Sequence, residues 1–326
     1  MKIAIIILNY RTPKLVVDCL RSLDSEIKNC QEVNVSVLVV DNDSNDDSID
    51  VIRSAIDANS WQDWASLIES PTNGGFSAGN NIGIKAAKDA DFYLLLNSDT
   101  IVREGAISAL WKAAKQHPES GLISPRLEWP DGTPQISCFN YHSPISEFID
   151  AACTGPITKL LSPYDVPIPV CDQPSRPNWT SFACVMIRKQ VIDQIGLMDE
   201  GYFMYYDDVD FCRRAQDAGW QVLHWPNARV VHLRGGSSSV KSDVAFRKRP
   251  RKFLYESRSR YFTRFYGRYG LLIANTFWFA GRIISWMREM TGTKQPHTCQ
   301  FQGIDIWTNW RNPLQTPSIL NQQSKV

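Results

Sequence analysis

Three places in the chain gather side chains able to hold a cation or move a proton: Asn97-Ser98-Asp99, Asp207-Asp208-Val209-Asp210, and His232. Asp99 follows the apolar run Tyr93-Leu94-Leu95-Leu96. A carboxylate at the end of a buried strand suits a hard divalent cation that keeps several waters and takes the rest of its shell from substrate phosphates. Ser98, Asp99 and Thr100 would serve equally well as a helix N-cap. Three carboxylates in four residues repel one another unless a cation, a substrate or a proton compensates, although the first turn of a helix accounts for one or two of them. Acids set behind Tyr202-Phe203-Met204-Tyr205-Tyr206 hold their protons more tightly, which serves general-base work near neutral pH. His232 ends a short apolar piece and is either a metal ligand or a structural histidine. Asn73-Gly74-Gly75-Phe76-Ser77-Ala78-Gly79-Asn80 is a Gly-rich turn feeding a helix, whose free N–H groups suit a phosphate. The turn alone would also satisfy a strand-to-helix connection. Phe76 stands where the G-x-G-x-x-G fingerprint needs glycine, which disfavours a dinucleotide.

The elements around these clusters alternate. Continuous apolar runs at 3–8, 35–40, 65–68 and 92–96 read as buried strands, and helical spacing from Pro13, at 48–56 and at 77–87 fills the gaps. Strand and helix in alternation imply an α/β fold with a mostly parallel sheet covered on both faces. In such a sheet, ligands bind beyond the carboxyl ends of the strands. Asn9, Asp41-Asn42-Asp43, Asn73-Gly74-Gly75 and Asn97-Ser98-Asp99 all fall at those ends. From 125 to 178 the pattern dissolves into Pro-, Ser- and Asp-rich sequence expected to form a long loop region. A strand at 181–187, a helix from Lys189, a helix at 211–218 and a strand at 228–231 follow.

Composition adds compartment and asymmetry. At 326 residues, 43% hydrophobic and 21% charged, the chain buries a core without staples, and disorder, collagen and small disulfide scaffolds are excluded. Eight cysteines without two-residue spacing are expected to be mostly buried free thiols in a reducing cytoplasm. No signal peptide is legible at the start. Residues 1–240 hold 20 basic and 30 acidic side chains, whereas 241–326 hold 15 and 4. The net charge of +1 hides an acidic body and a basic tail.

Taken together, Ile7-Leu8-Asn9-Tyr10, Val39-Val40-Asp41-Asn42-Asp43-Ser44, Asn73 to Asn81 with Gly83, Leu94 to Thr100, Gly196-Leu197-Met198-Asp199-Glu200, Tyr205 to Arg214, and Val231-His232 occur in a characteristic order. Over roughly residues 3–235 the chain resembles the inverting family 2 glycosyltransferases of the GT-A fold, in particular the bacterial rhamnosyltransferase-like branch that builds O-antigen and other cell-surface polysaccharides. The resemblance implies a Rossmann-like, mostly parallel central sheet with helices on both faces, carried by a GT-A domain at 1–240. Its nucleotide-sugar half is 1–124 and its acceptor and catalytic half 125–240; a basic amphipathic helical extension at 241–290 and an irregular tail at 291–326 complete the chain. It implies that Asp41 grips the base or ribose with Asn9 beside it, that Asn73, Gly74, Gly75, Asn80, Asn97 and Ser98 line the nucleotide-sugar site, and that Asp99 and His232 hold Mg2+ or Mn2+. Asp208 matches the general base, with Asp207 beside it as the alternative, and Trp179 and Tyr206 are expected to face the acceptor. Asn97 departs from the family's first metal-motif acid, Asp207 from the more usual Glu, and Phe182 from a small residue near the acceptor pocket.

The implied reaction transfers a sugar, with L-rhamnose from dTDP-rhamnose first and a UDP-hexose or UDP-N-acetylhexosamine second, to a hydroxyl of a glycan or lipid-linked glycan. From Lys241 to Gly270 ten basic and two acidic residues interleave with aromatics, and 271–287 is apolar but interrupted by Asn275, Arg282 and Ser285. That combination suits an anionic membrane surface better than a spanning helix, so a peripheral protein on the inner face of the bacterial membrane is expected. The competing expectation is that Arg258, Arg260 and Arg264 pack on the acidic body. A nucleic-acid role leaves the acidic clusters unexplained, so no nucleic-acid partner is expected, and a non-catalytic carbohydrate-binding protein on the same fold is the remaining alternative.

Overall fold

A computed structural model describes residues 1–30, 32–233 and 244–323. The expected boundary near residue 240, and Arg234 to Ser237 after His232, lie outside the described residues. The strands are β1 (Lys2–Asn9), β2 (Asn34–Asp41), β3 (Ala65–Glu69), β4 (Phe92–Asn97), β5 (Thr100–Val102), β6 (Ser120–Glu128), β7 (Cys138–Phe139), β8 (Trp179–Thr180), β9 (Cys184–Arg188) and β10 (Gln221–His232). The helices are α1 (Pro13–Asn29), α2 (Ser48–Ala58), α3 (Gly75–Ala86), α4 (Ala106–Gln116), α5 (Pro144–Ala152), α6 (Gly155–Leu160), α7 (Lys189–Ile195), α8 (Asp207–Asp217), α9 (Lys252–Met290), α10 (Gln302–Asp305) and α11 (Ser318–Gln323). The described residues divide into two compact units, one within 1–138, 169–200 and 207–233, the other within 139–168, 201–206 and 244–323.

The first unit is built on an eight-stranded sheet in the order β3-β2-β1-β4-β9-β6-β10-β5. Four of its seven ladders are parallel. β1 sits between β2 and β4, and its residues Ile3 to Ile7 are essentially inaccessible, as expected of a strand covered on both faces. Alternation along β1 assigns the layers. Ile3, Ile5 and Ile7 join a core with Val16, Leu20 and Leu23 of α1, Ile52 of α2 and Leu110 of α4. Ile6 and Leu8 point the other way, toward α3. A Cβ on Gly79 would lie 2.3 Å from Leu8 Cδ1, and one on Gly83 2.5 Å from Ile6 Cγ2, so these two glycines let α3 settle directly on the strand.

The second unit contains helices that the loop-like composition of 125–178 concealed. Ser143 caps α5 with a reciprocal Ser143–Ser146 box, and Pro144 opens the helix. α5 packs along α9, which breaks at Gly267 where φ is +70°. Arg258 of α9 is buried and donates to Glu147 Oε2 at 2.9 Å and to Asn275 Oδ1 at 2.8 Å. The tail expected to be irregular forms α10 and α11. All eight cysteines are free and five are buried; Cys153 and Cys171 are exposed.

Candidate functional site

The carboxyl ends of β2, β1 and β4 are stitched together by a hydrogen-bonded chain. Register places Asn9 opposite Asp41 on one side and Leu8 opposite Asn97 on the other. Asn9 Nδ2 donates to Asp41 Oδ1 at 2.7 Å, and Asn9 Oδ1 accepts from the Thr12 amide and hydroxyl at 3.2 Å. The Thr12 hydroxyl lies 3.1 Å from that of Ser98. Asp41 is buried and also accepts from the Ser44 amide at 3.0 Å and the Ser44 hydroxyl at 2.6 Å. An ionised carboxylate has about four acceptor positions, so these donors orient Asp41 and leave capacity for a ligand hydroxyl or amide.

Asn73 and the glycine turn are held from β2. Asn42 Nδ2 donates to Asn73 Oδ1 at 2.9 Å and to the Gly75 carbonyl at 3.1 Å, and the Gly75 amide donates to Asn73 Oδ1 at 3.1 Å. Gly75 adopts φ +85°, which a Cβ would oppose. Asn80 instead donates back to the Phe76 carbonyl within α3 at 2.9 Å, and is buried. Its neighbour Asn81, which sequence reasoning passed over, binds the Met198 carbonyl at 2.9 Å and Glu200 Oε1 at 3.0 Å and accepts from the Met198 amide. The Gly196–Glu200 motif thereby ties α3 in place.

Asp99 and His232 are brought together by the sheet. Thr100 pairs with His232 in the β5–β10 ladder, and the Leu233 amide donates to the Asp99 carbonyl at 2.9 Å. His232 Nε2 is 3.4 Å from Asp99 Oδ1, both side chains being buried. Two donors sharing one divalent ion at about 2.0–2.2 Å sit roughly 3 Å apart, so an imidazole and a carboxylate at this spacing fit a single cation. The far nitrogen, His232 Nδ1, is buried without a hydrogen-bond partner among the described residues. The His232 carbonyl accepts from Gln135 Nε2 at 2.8 Å. Among the described residues no three or more His, Cys, Asp or Glu side chains converge so as to hold a metal ion by themselves. Two protein donors with the balance from diphosphate and water is the donor set hard cations commonly take.

The acid triplet opens α8 and its members part company. Asp210 is buried and pairs with Arg214 Nε at 2.8 Å, while the same guanidinium donates to the Ile195 and Leu197 carbonyls at 3.0 and 3.1 Å. Its role is to anchor the helix. Burial, and then the charges of Asp208 and Asp210, push the Asp207 carboxyl well above the usual carboxylate range. Asp208 is half-buried, the most accessible of the three, and accepts from the Val209 amide at 2.9 Å.

Trp179 is buried in β8 of the first unit. Phe182 packs edge-on to Phe211 at 5.9 Å, in the interior of that unit. Tyr206 belongs to the second unit, where its ring lies 4.9 Å from His142 and 5.4 Å from Tyr261. Tyr205 and Tyr206 both hold positive φ, 68° and 63°, conformations that bulky residues rarely adopt.

A sequence model of the family described as "Glycosyltransferase like family 2" matches residues 2–253. The N-acetylglucosaminyl-diphospho-decaprenol L-rhamnosyltransferase of Mycobacterium tuberculosis is 29% identical over 158 residues, which are 45% of this chain and 48% of that protein. The low-salt glycan biosynthesis hexosyltransferase Agl10 of Haloferax volcanii is 29% identical over 222 residues, 66% of this chain and 61% of that one. The chain therefore spans about half the length of the mycobacterial relative. The crystal structure of GalNAc-T7 with UDP, GalNAc and Mn2+ superposes with a TM-score of 0.61 over 96% of this chain and 59% of the other, at 13% identity. At that identity the likeness concerns the fold.

Proposed function

The chain belongs to the family 2 glycosyltransferases, and from that premise we propose that it transfers L-rhamnose from dTDP-rhamnose, with inversion, to a hydroxyl of a glycan or lipid-linked glycan in surface polysaccharide synthesis. The observation that supports this most is the gathering of Asn9, Asp41, Ser98 and the Asp99–His232 pair at the carboxyl ends of the strands, where open α/β sheets bind ligands. The rhamnosyl choice rests on the mycobacterial relative. A UDP-linked donor is the second reading, favoured by the UDP and GalNAc held by the superposed structure.

In this reading Asp41, oriented by Asn9 and Ser44, takes the ribose or base, while Asn73, Gly74, Gly75, Asn97 and Ser98 shape the donor site. Asp99 and His232 would hold Mg2+ or Mn2+. Such a cation, when bound, neutralises the departing nucleoside diphosphate. Asp208 takes the proton of the acceptor hydroxyl as that oxygen attacks the anomeric carbon, and no covalent sugar–enzyme intermediate forms. Asp207, holding its own proton more tightly, leaves the accessible base to its neighbour. We place the enzyme at the cytoplasmic face of the membrane.

Thermal-shift screening of dTDP- and UDP-sugars with and without Mn2+ tests the donor, since a ligand bound only by the native state raises the melting temperature. The expected result is a shift with dTDP-rhamnose that depends on Mn2+. Asp208→Asn should retain that shift and lose about a hundredfold or more in turnover. Near-native turnover in Asp208→Asn would remove the base assignment.

A further inference from the structure

The half of α9 after Gly267 is amphipathic in the inverted sense. Apart from Leu271 and Trp278, the positions turned inward carry small or polar side chains: Gly270, Ala274, Asn275, Gly281 and Ser285. A Cβ on Gly281 would lie 2.4 Å from the Phe148 carbonyl oxygen of α5, so only glycine allows that approach. The positions turned outward carry large apolar ones: Leu272, Ile273, Phe277, Ile283, Trp286 and Met287 are all exposed, Ile283 at 57% and Trp286 at 53%. With the exposed Phe279 and Met290 they recur at intervals of three, four and seven residues, which is one face of a helix. Between Tyr269 and Met290 no exposed position bears a charge. The face is about 33 Å long at 1.5 Å per residue.

An exposed apolar face of this size marks an interaction site, and the surrounding charge indicates which kind. Arg264 and Arg268 are exposed where the face begins. Arg288 and Lys294 lie where it ends and donate to the Cys153 carbonyl, and Lys294 also faces the carboxylates of Asp150 and Glu289. Arg282 is paired with Glu289 at 2.8 Å. With 15 basic and 4 acidic residues in 241–326, two copies of this surface would repel each other, whereas anionic headgroups would be drawn to it. Among the described residues no helix is long and apolar enough to cross a membrane.

We infer that the outward face of residues 269–290 lies flat in the interface of an anionic lipid bilayer, with its large apolar side chains in the acyl boundary and the basic residues at its two ends among the headgroups. This surface stands independently of the transferase reading, and its test involves no sugar.

The full chain is sedimented with vesicles of phosphatidylglycerol and phosphatidylcholine in equal parts, and with phosphatidylcholine alone. The native protein should pellet with the anionic vesicles and much less with the neutral ones. The double variant Ile283→Gln, Trp286→Gln should bind the anionic vesicles at least tenfold more weakly, and Thr276→Leu, which extends the apolar face, severalfold more tightly. The gain in Thr276→Leu is a result that misfolding does not produce. Equal partitioning of all three proteins, equal binding to neutral vesicles, or no pelleting at all would overturn the inference. So would a dimer in light scattering that the double variant dissolves while vesicle binding is absent, since the face would then cover a second copy.

Discussion

His232 and Asp99 meet, Nε2 to Oδ1 at 3.4 Å, because the short antiparallel ladder of β5 and β10 sets Thr100 directly opposite His232. The contact is therefore a property of the sheet rather than of a mobile loop. If the pair holds a divalent ion with a nucleoside diphosphate, Asp99→Ala should abolish the Mn2+-dependent part of nucleotide binding in calorimetry. His232→Gln should weaken it about tenfold or more, a loss typical of disturbed metal shells. Retention of full Mn2+ dependence in both variants would leave the pair as a structural contact only.

Asn9 is the hinge of the polar chain across the strand ends. Asn9→Ala deprives the buried Asp41 of its 2.7 Å donor and the Thr12 hydroxyl and amide of their acceptor. Buried polar groups left unpaired cost about 1–3 kcal/mol. Urea denaturation should show a loss of that size, with weaker nucleotide binding alongside. An unchanged midpoint would mean that water replaces the amide without penalty.

The strands β1, β2 and β4 were readable because a parallel strand covered on both faces must be apolar throughout, and the polar residues that end each run mark the ligand edge. The roles within the clusters were less readable. Asn80 was expected at the nucleotide-sugar site, yet its amide is spent within α3, while Asn81 next to it fastens the Met198–Glu200 segment. Asp210 and Arg214, four apart on one helix, could have signalled an ion pair and so separated Asp210 from its neighbours. The contact of Asp99 with His232 could not be read from local pattern, because β5 is only three residues long and its partner lies far along the chain. α5 was hidden by a sequence whose helical signal is short, and it takes its place from packing against α9.

Asp207 should make the protein less stable than it could be. Its carboxyl is raised by burial and by the charges of Asp208 and Asp210. Below the unfolded value near 3.8 both states are protonated and there is no difference between them. As pH rises past that value the unfolded chain releases its proton first, so stability declines until the folded group ionises as well. Asp207→Asn mimics the protonated acid and should add on the order of 1 kcal/mol at pH 7, as substitutions at functional residues commonly do. That is roughly 3 °C in Tm for a protein of this size. At pH 3.5 the variant and the native chain should melt together. A variant less stable at pH 7 would show that the ionised carboxylate makes contacts worth more than its burial costs.

His224 should weaken the fold in acid. It is buried on β10 with Nδ1 3.3 Å from the Ser124 hydroxyl, and burial, followed by the charge of Arg126, pushes its pKa down to about 4 from 6.5. Above its unfolded value the imidazole is neutral in both states and costs the fold nothing. As pH falls below 6.5 the unfolded chain takes up a proton that the folded chain refuses, and stability drains away until about pH 4. At about 1.36 kcal/mol per unit, the span corresponds to roughly 3 kcal/mol. His224→Gln keeps an amide near Ser124 but cannot titrate, so its stability should vary less with pH between 6.5 and 4 than that of the native chain. Melting curves of both proteins across that interval decide the matter: parallel pH dependences would mean that other groups, and not His224, govern the acid transition.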